Sequence, residues 1–330
     1  MWFESLTGFR EESAAQVHEN ISVDGNILRS HINGMAYICG TLEIPSLADL
    51  RDRVHRVGRH SGKLTLREVI ADVQQLHMEK SNAGALFQVA SQFNLLEMVS
   101  PDVTPEKGIT GYEYDRTQGP ACAIAAGAGT IYRNYFVEID GDLGQTEKRQ
   151  IDCLADVGAA LGNENGRLWE MRNGYALASY DGLMEINIKI KSATESEIDE
   201  LRKLLRIGIQ WDTEVTLGNA GHTVTQAYCS ALPVAYSRFP SELWAGFAKV
   251  ILEAAYEATI CAGILNALNS GNNKVYLTLL GGGAFGNETV WIISAIERSL
   301  NLYQDFDLDV AIVSYGHSNP HVQDLIRQFY

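Results

Sequence analysis

Cysteine is sparse in this chain. Its five residues, Cys39, Cys122, Cys153, Cys229 and Cys261, are odd in number and far apart, which argues against a disulfide framework or a thiolate zinc site and suits reduced core residues. Long hydrophobic runs are missing too. No stretch approaches the roughly 18 uninterrupted apolar residues of a membrane span, and the opening MWFESLTGFREES lacks the basic-then-apolar order of a secretory leader, so a cytoplasmic location and no membrane partner are expected. Positive charge is in deficit, with 26 Lys and Arg against 41 Asp and Glu and a formal net charge of -15. Such a surface repels polyanions. The nearest basic run, RDRVHRVGRH at 51–60, alternates with acidic and apolar residues like a solvated helix face, so nucleic acid is not an expected partner. A small anion remains possible if neutral backbone N–H groups form its cradle. The Walker Gly-Lys-Ser/Thr, the GxGxxG fingerprint and the Gly-x-Ser-x-Gly elbow are all absent, and the families that need them lose ground.

What is present reads as α/β. The first sixty residues contain short extended candidates at 21–23 and 35–42, separated by Asp24-Gly25-Asn26 and Asn33-Gly34 turns. Ser46 caps a helix over LADLRDRVHRV, and Thr65 is expected to open another through LREVIADVQQLHM. ALFQVAS from Ala85 has the composition of a buried strand ending in the polar cluster Ser91-Gln92-Phe93-Asn94. Asp115-Arg116-Thr117-Gln118-Gly119-Pro120 leads into a small-residue helix with proline in its first turn. A helix over 151–161, a hairpin-like pair around Asn173-Gly174 and Asp181-Gly182, and an alternating strand MEINIKI follow. Thr194 and Glu197 resemble a capping box. VTQAYCSALPVAY reads as a central strand, and a long apolar helix runs from Ser241 to about Leu268. The last third, strand VYLTLL, loop GGGAFGN, helix ETVWIISAIERSL and strand LDVAIVSY, is a βαβ unit whose ligand edge is expected at the first loop. Residues 1–75 are expected to be an N-terminal extension, β-rich and helical, packed on one domain over 76–330.

Chemistry concentrates in the loop Gly281, Gly282, Gly283, Ala284, Phe285, Gly286 and Asn287. Glycine permits positive φ and removes the side chain that would hold an anion off, while the following helix start offers unpaired N–H groups; a diphosphate fits these conditions, and a tight ligand-free turn is the alternative. GGGAFGN before an apolar helix resembles the second phosphate loop of macrodomains, especially the GCGAFGG form of poly(ADP-ribose) glycohydrolases. ALFQVASQFN resembles the macrodomain strand that ends in a ligand-facing asparagine, and TQGPACAIAAGAGTIYRNY stands in the place of the first loop and its helix. The ensemble over about 76–330 is most similar to a divergent branch of MavL-type ADP-ribosylhydrolases. That resemblance implies a macrodomain-like mixed sheet flanked by helices, ADP-ribose or an ADP-ribosylated protein as ligand, and removal of ADP-ribose from arginine, with ubiquitin as the modified partner. The Gln-Glu-Glu that follows the first loop of the glycohydrolases is absent here, so no catalytic glutamate pair transfers.

Asp115, Asp212 and Glu214 are the candidate catalytic carboxylates, for stabilising an oxocarbenium-like state, and turn-forming or solvated acids are the alternative for each. Gln92 and Asn94 are candidates for orienting the sugar, Gln118, Gly119, Pro120 and Ala121 for the first phosphate loop, and Phe285 for packing on the distal ribose. No cofactor or metal is called for; His317 and His321, four apart with Pro320 between them, do not make a helical ligand pair. Three readings stay open: a hydrolase, a non-catalytic ADP-ribose-binding module, and an acidic interaction scaffold whose glycine loop is structural.

Overall fold

The computed structural model describes residues 1–58 and 62–330; Arg59 and His60, at the end of the basic run, lie outside the described residues. Among the described residues seven strands build a central sheet: β1 (Thr41–Glu43), β2 (Thr65–Ile70), β3 (Leu86–Ala90), β4 (Gly208–Glu214), β5 (Thr223–Cys229), β6 (Lys274–Leu277) and β7 (Asp309–Ser314), in the order β1-β4-β5-β3-β6-β7-β2. From β5 to β2 all neighbours are parallel, whereas β4 is antiparallel to both β1 and β5. The sheet is therefore mixed.

Helices cover both faces. They are α1 (Leu47–Val57), α2 (Val73–Met78), α3 (Gln118–Ala125), α4 (Tyr180–Ser192), α5 (Glu195–Lys203), α6 (Ser241–Ser270), α7 (Thr289–Leu302) and α8 (Pro320–Phe329). The central strand β3 shows why its sequence is almost wholly apolar: successive side chains point to opposite faces, and both faces are covered. Phe87 stacks on His77 of α2 at 3.8 Å between ring centroids. Its neighbour Gln88 points the other way and donates from Nε2 to Thr259 Oγ1 of α6 at 3.0 Å. Helix α6 is apolar nearly all round because α1, α4 and α7 pack on it as well as the sheet. It is long and apolar enough to cross a membrane, but 89% of its most apolar window is buried in the fold. Gly271, at φ 74°, ends it in the left-handed conformation that glycine adopts freely.

Two expected elements take the other form. The run from Thr65 divides into strand β2, parallel to β7, and the short helix α2, capped by Asp72, whose side chain accepts from Gln74 N. MEINIKI lies inside α4, not in a strand: Ser179 caps the helix, Leu183 and Ile186 are buried at helical spacing, and the alternate apolar residues Met184 and Ile188 are exposed. Asp181-Gly182 consequently belongs to the first turn of α4 and makes no hairpin, while Asn173-Gly174 does join Trp169–Arg172 to Tyr175–Ala178. The boundary expected at 75/76 does not divide the structure, since β1 and β2 are the two edge strands of the central sheet. Residues before β1 instead form a small three-stranded sheet and two helices on a second apolar cluster. Phe3, Leu6, Val17 and Leu28 meet Leu96, Met98, Ile109 and Tyr112 there.

Candidate functional site

The carboxyl ends of β3, β5 and β6 converge on one cavity, at the point where the sheet parts. Beyond the Tyr276–Phe87 pair, β6 no longer pairs with β3. The Gln118 side chain substitutes for the missing strand: its Oε1 accepts from Ala90 N at 2.9 Å and its Nε2 donates to Gln88 O at 2.8 Å. A crevice of this kind at the carboxyl ends of parallel strands is where open α/β sheets bind ligands.

The glycine loop forms one wall. Gly281 has φ 74°, and a Cβ there would lie 2.4 Å from Ala231 Cβ; Gly286 has φ 71°, and its Cβ would lie 2.8 Å from Ala235 Cβ. Both therefore need glycine for backbone and packing reasons. Gly283 differs, because a Cβ would meet nothing within 4 Å. Within the loop Gly282 N donates to Leu279 O, Gly286 N to Gly283 O and Asn287 N to Gly281 O. Among the described residues the N–H groups of Gly281, Gly283, Ala284 and Phe285 have no acceptor, and these four residues line the cavity. Across the cavity, the N–H groups of Gln118 and Gly119 in the first turn of α3 also lack an acceptor among the described residues. Six backbone donors with a helix start behind two of them make an anion cradle without a cationic side chain.

Gly119 is compelled by contact. A Cβ would sit 1.9 Å from Ala90 O and 3.1 Å from Glu97 Cγ, so only glycine lets α3 begin against the end of β3. Asp115 lines the cavity half-exposed, and its Oδ1 accepts from Thr117 N at 2.9 Å, a turn that sets the start of α3. Gln92 lines it too, with Oε1 held by Met98 N at 2.8 Å. Tyr175, Tyr236 and Phe285 add an aromatic wall, their ring centroids 5.1, 5.3 and 5.7 Å apart.

Other expected site residues lie elsewhere. Asp212 and Glu214 are not in the cavity: β4 runs antiparallel to β5, pairing Gly208 with Tyr228 near the ligand edge and Glu214 with Thr223 at the opposite edge, roughly 20 Å away along the strand. Asp212 is an exposed residue at a bulge with φ 52°, and Glu214 accepts from Ile38 N at 2.8 Å. Asn94 is fully buried and away from the cavity, its Nδ2 donating to Gln150 Oε1 at 2.8 Å and its Oδ1 accepting from Leu96 N at 3.1 Å. Asn287 is buried as a loop brace, donating to Leu232 O at 2.8 Å. Ala121 stands one residue beyond the cavity wall, and its carbonyl accepts from Gln74 Nε2. Gly282 and Gly286 shape the loop without lining the cavity.

Sequence reasoning missed Glu97. It lines the cavity wall, its side chain is 1% exposed, and neither carboxyl oxygen has a hydrogen-bond partner among the described residues. Burial pushes its carboxyl up to about 8, against the opposing pull of Arg133, whose Nη2 lies 3.8 Å from Oε1. Arg133 is itself fully buried, stacked 3.6 Å over the Tyr228 ring and donating to Leu95 O and Thr130 Oγ1. The only signal in the sequence was an acid inside the apolar run NLLEMV. Tyr175 and Tyr236 were missed as well; a hairpin tyrosine and one in a short turn carry no motif.

No family model matches the chain, and no curated protein matches it. Among solved structures it is similar to poly(ADP-ribose) glycohydrolase from Deinococcus radiodurans in complex with ADP-ribose, at 10% identity and TM-score 0.45 over 87% of this chain and 93% of that one. It is also similar to the glycohydrolase from Thermomonospora curvata, at 10% identity and TM-score 0.45 over 96% of each chain, and to that protein bound to the inhibitor ADP-HPD, at TM-score 0.43. At these scores the likeness decides nothing about chemistry, which has to come from the residues of this chain.

Proposed function

We propose that this chain binds ADP-ribose in the β3/β5/β6 crevice and hydrolyses the bond between ADP-ribose and a modified protein side chain. One observation carries the reading: the four glycine-loop N–H groups that lack an acceptor belong to the four loop residues that line the cavity, opposite two more at the start of α3. A diphosphate takes up such donors, and it suits a protein whose net charge excludes a basic site. Asp115 is the half-exposed carboxylate available to stabilise positive charge on the distal ribose, with Gln92 beside it and Phe285 supplying an apolar face for the sugar. No metal or cofactor is assigned a part.

Arginine is the preferred linkage. Its departing guanidinium is cationic and planar, and an aromatic wall of Tyr175, Tyr236 and Phe285 next to Asp115 suits such a group. The resemblance to MavL-type ADP-ribosylhydrolases supports the same linkage and makes ubiquitin the first modified protein to try. A cytoplasmic setting accords with five buried free cysteines.

The test is release of ADP-ribose from arginine-modified protein by the full chain and by Asp115→Asn. The reading expects turnover that falls by about 10²- to 10⁴-fold in the variant, with ADP-ribose binding retained. A second reading, a non-catalytic binding module, is favoured by the engagement of Asp115 Oδ1 with Thr117 N, which gives that carboxylate a structural duty. Tight binding with no turnover of arginine-, serine- or glutamate-linked substrates would establish the module instead.

A further inference from the structure

A buried carboxyl without a hydrogen bond is a costly feature, and native folds keep few of them. Glu97 is such a group, and it stands in the wall of the ligand cavity. Its surroundings are asymmetric. The backbone is fixed, since Glu97 N donates to Tyr112 Oη at 2.9 Å, while the carboxyl makes no hydrogen bond among the described residues and feels the Tyr112 hydroxyl and Arg133, whose Nη2 approaches to 3.8 Å. Arg133 Nη1 also lacks a partner among the described residues. The side chain is thus held at its root and unpaired at its enclosed tip, and its Cγ stands against the first turn of α3, where a Cβ on Gly119 would lie 3.1 Å away.

We propose that Glu97 is a second working carboxyl of this pocket, in addition to Asp115, and that it exchanges a proton with its surroundings when ADP-ribose binds. This rests on the ADP-ribose reading of the site. The anionic diphosphate arriving beside the pair favours the neutral carboxyl, so binding draws a proton onto Glu97 and leaves the Arg133 charge uncompensated toward the ligand. The other groups packed around the pair stay silent near neutrality: burial drives Tyr112, Tyr228 and Cys122 upward, away from that range. Glu97 is the group placed near 8.

Calorimetric titration of ADP-ribose into the full chain at pH 8, in buffers of different ionisation enthalpy, counts the protons exchanged; ADP-ribose itself titrates no group between pH 7 and 9. The expected result is net proton uptake in the wild type and none in Glu97→Gln, with affinity falling by about fivefold from pH 7 to 9 in the wild type, the part of one unit of coupling that this range spans, and by less than about twofold in the variant. Should Glu97→Gln fail to fold, the wild-type pH series decides, with uptake expected to peak between pH 8 and 9. Equal proton uptake in both proteins, or none in the wild type, overturns the assignment while leaving ADP-ribose binding intact. Absence of ADP-ribose binding by the wild type overturns both.

Discussion

At the scale of single residues the site is set by two kinds of glycine. Gly119 and Gly281 are glycine because a Cβ would collide with the protein, at 1.9 Å from Ala90 O and 2.4 Å from Ala231 Cβ, whereas Gly283 faces open space. Gly119→Ala should therefore behave as a packing mutation, lowering stability by about 1–3 kcal/mol or more and shifting the thermal midpoint before any ligand is added. An unchanged midpoint would mean that α3 can move off β3 at little cost. The candidate residues that were legible from sequence, such as Gln92, Asp115 and the glycine loop, sit next to local signals: a strand end, a helix start, a run of adjacent glycines. Asp212 and Glu214 were misread because their position depends on the direction of β4, a property of the whole sheet that no local pattern carries. Glu97 was invisible for the opposite reason. An acid in an apolar run looks like the exposed face of an amphipathic segment until the fold closes over it.

At the scale of elements, Glu68 on β2 shows how the edge of the sheet is joined to the last helix. Its carboxylate accepts from Ser314 Oγ of β7, Ser318 Oγ, Asn319 N and Gln323 Nε2 of α8. Burial works to raise this carboxyl, and the four hydrogen bonds more than offset it, holding it at about 2 against an ordinary value of 4.5. Because the folded value is depressed, the stabilisation is complete above about pH 4.5 and is lost as pH falls toward 2. Thermal melts of the wild type should thus steepen in their acid dependence across that window, and Glu68→Gln should show a smaller loss there from a lower starting midpoint. Identical acid slopes in the two proteins would mean the cluster contributes nothing. The same strand illustrates what local pattern leaves undecided. Leu66 and Val69 are three apart, as in a helix, yet Thr65–Ile70 pairs with β7. In α4 the alternation of MEINIKI suits a strand, and Ser179 together with Leu183 and Ile186 on one helical face decides for the helix. Longer signals were safer. The βαβ unit and α6 were readable because caps, length and glycine stops agreed over many residues.

At the scale of the whole molecule, a chain with a formal charge of -15 is assigned an anionic ligand. No Lys or Arg lines the cavity among the described residues, so attraction comes from backbone dipoles at short range while the overall field repels. Salt should then act in reverse of the usual rule. Raising ionic strength from about 50 to about 500 mM should leave ADP-ribose affinity unchanged or tighten it by up to about threefold, since screening weakens the repulsion and barely touches donors in direct contact. A loss of about tenfold or more would point to cationic side chains that reach the ligand.

The most direct test is calorimetric titration of ADP-ribose, with AMP and NAD as controls, into the wild type and Gly283→Val. The substituted side chain meets no protein atom within 4 Å of its Cβ, so the fold and its thermal midpoint should be unaffected while the side chain intrudes on the cradle. Selective ADP-ribose binding by the wild type that disappears in Gly283→Val is the predicted result. A wild type that does not bind, or a variant that binds equally well, would contradict the assignment of this loop as the diphosphate site.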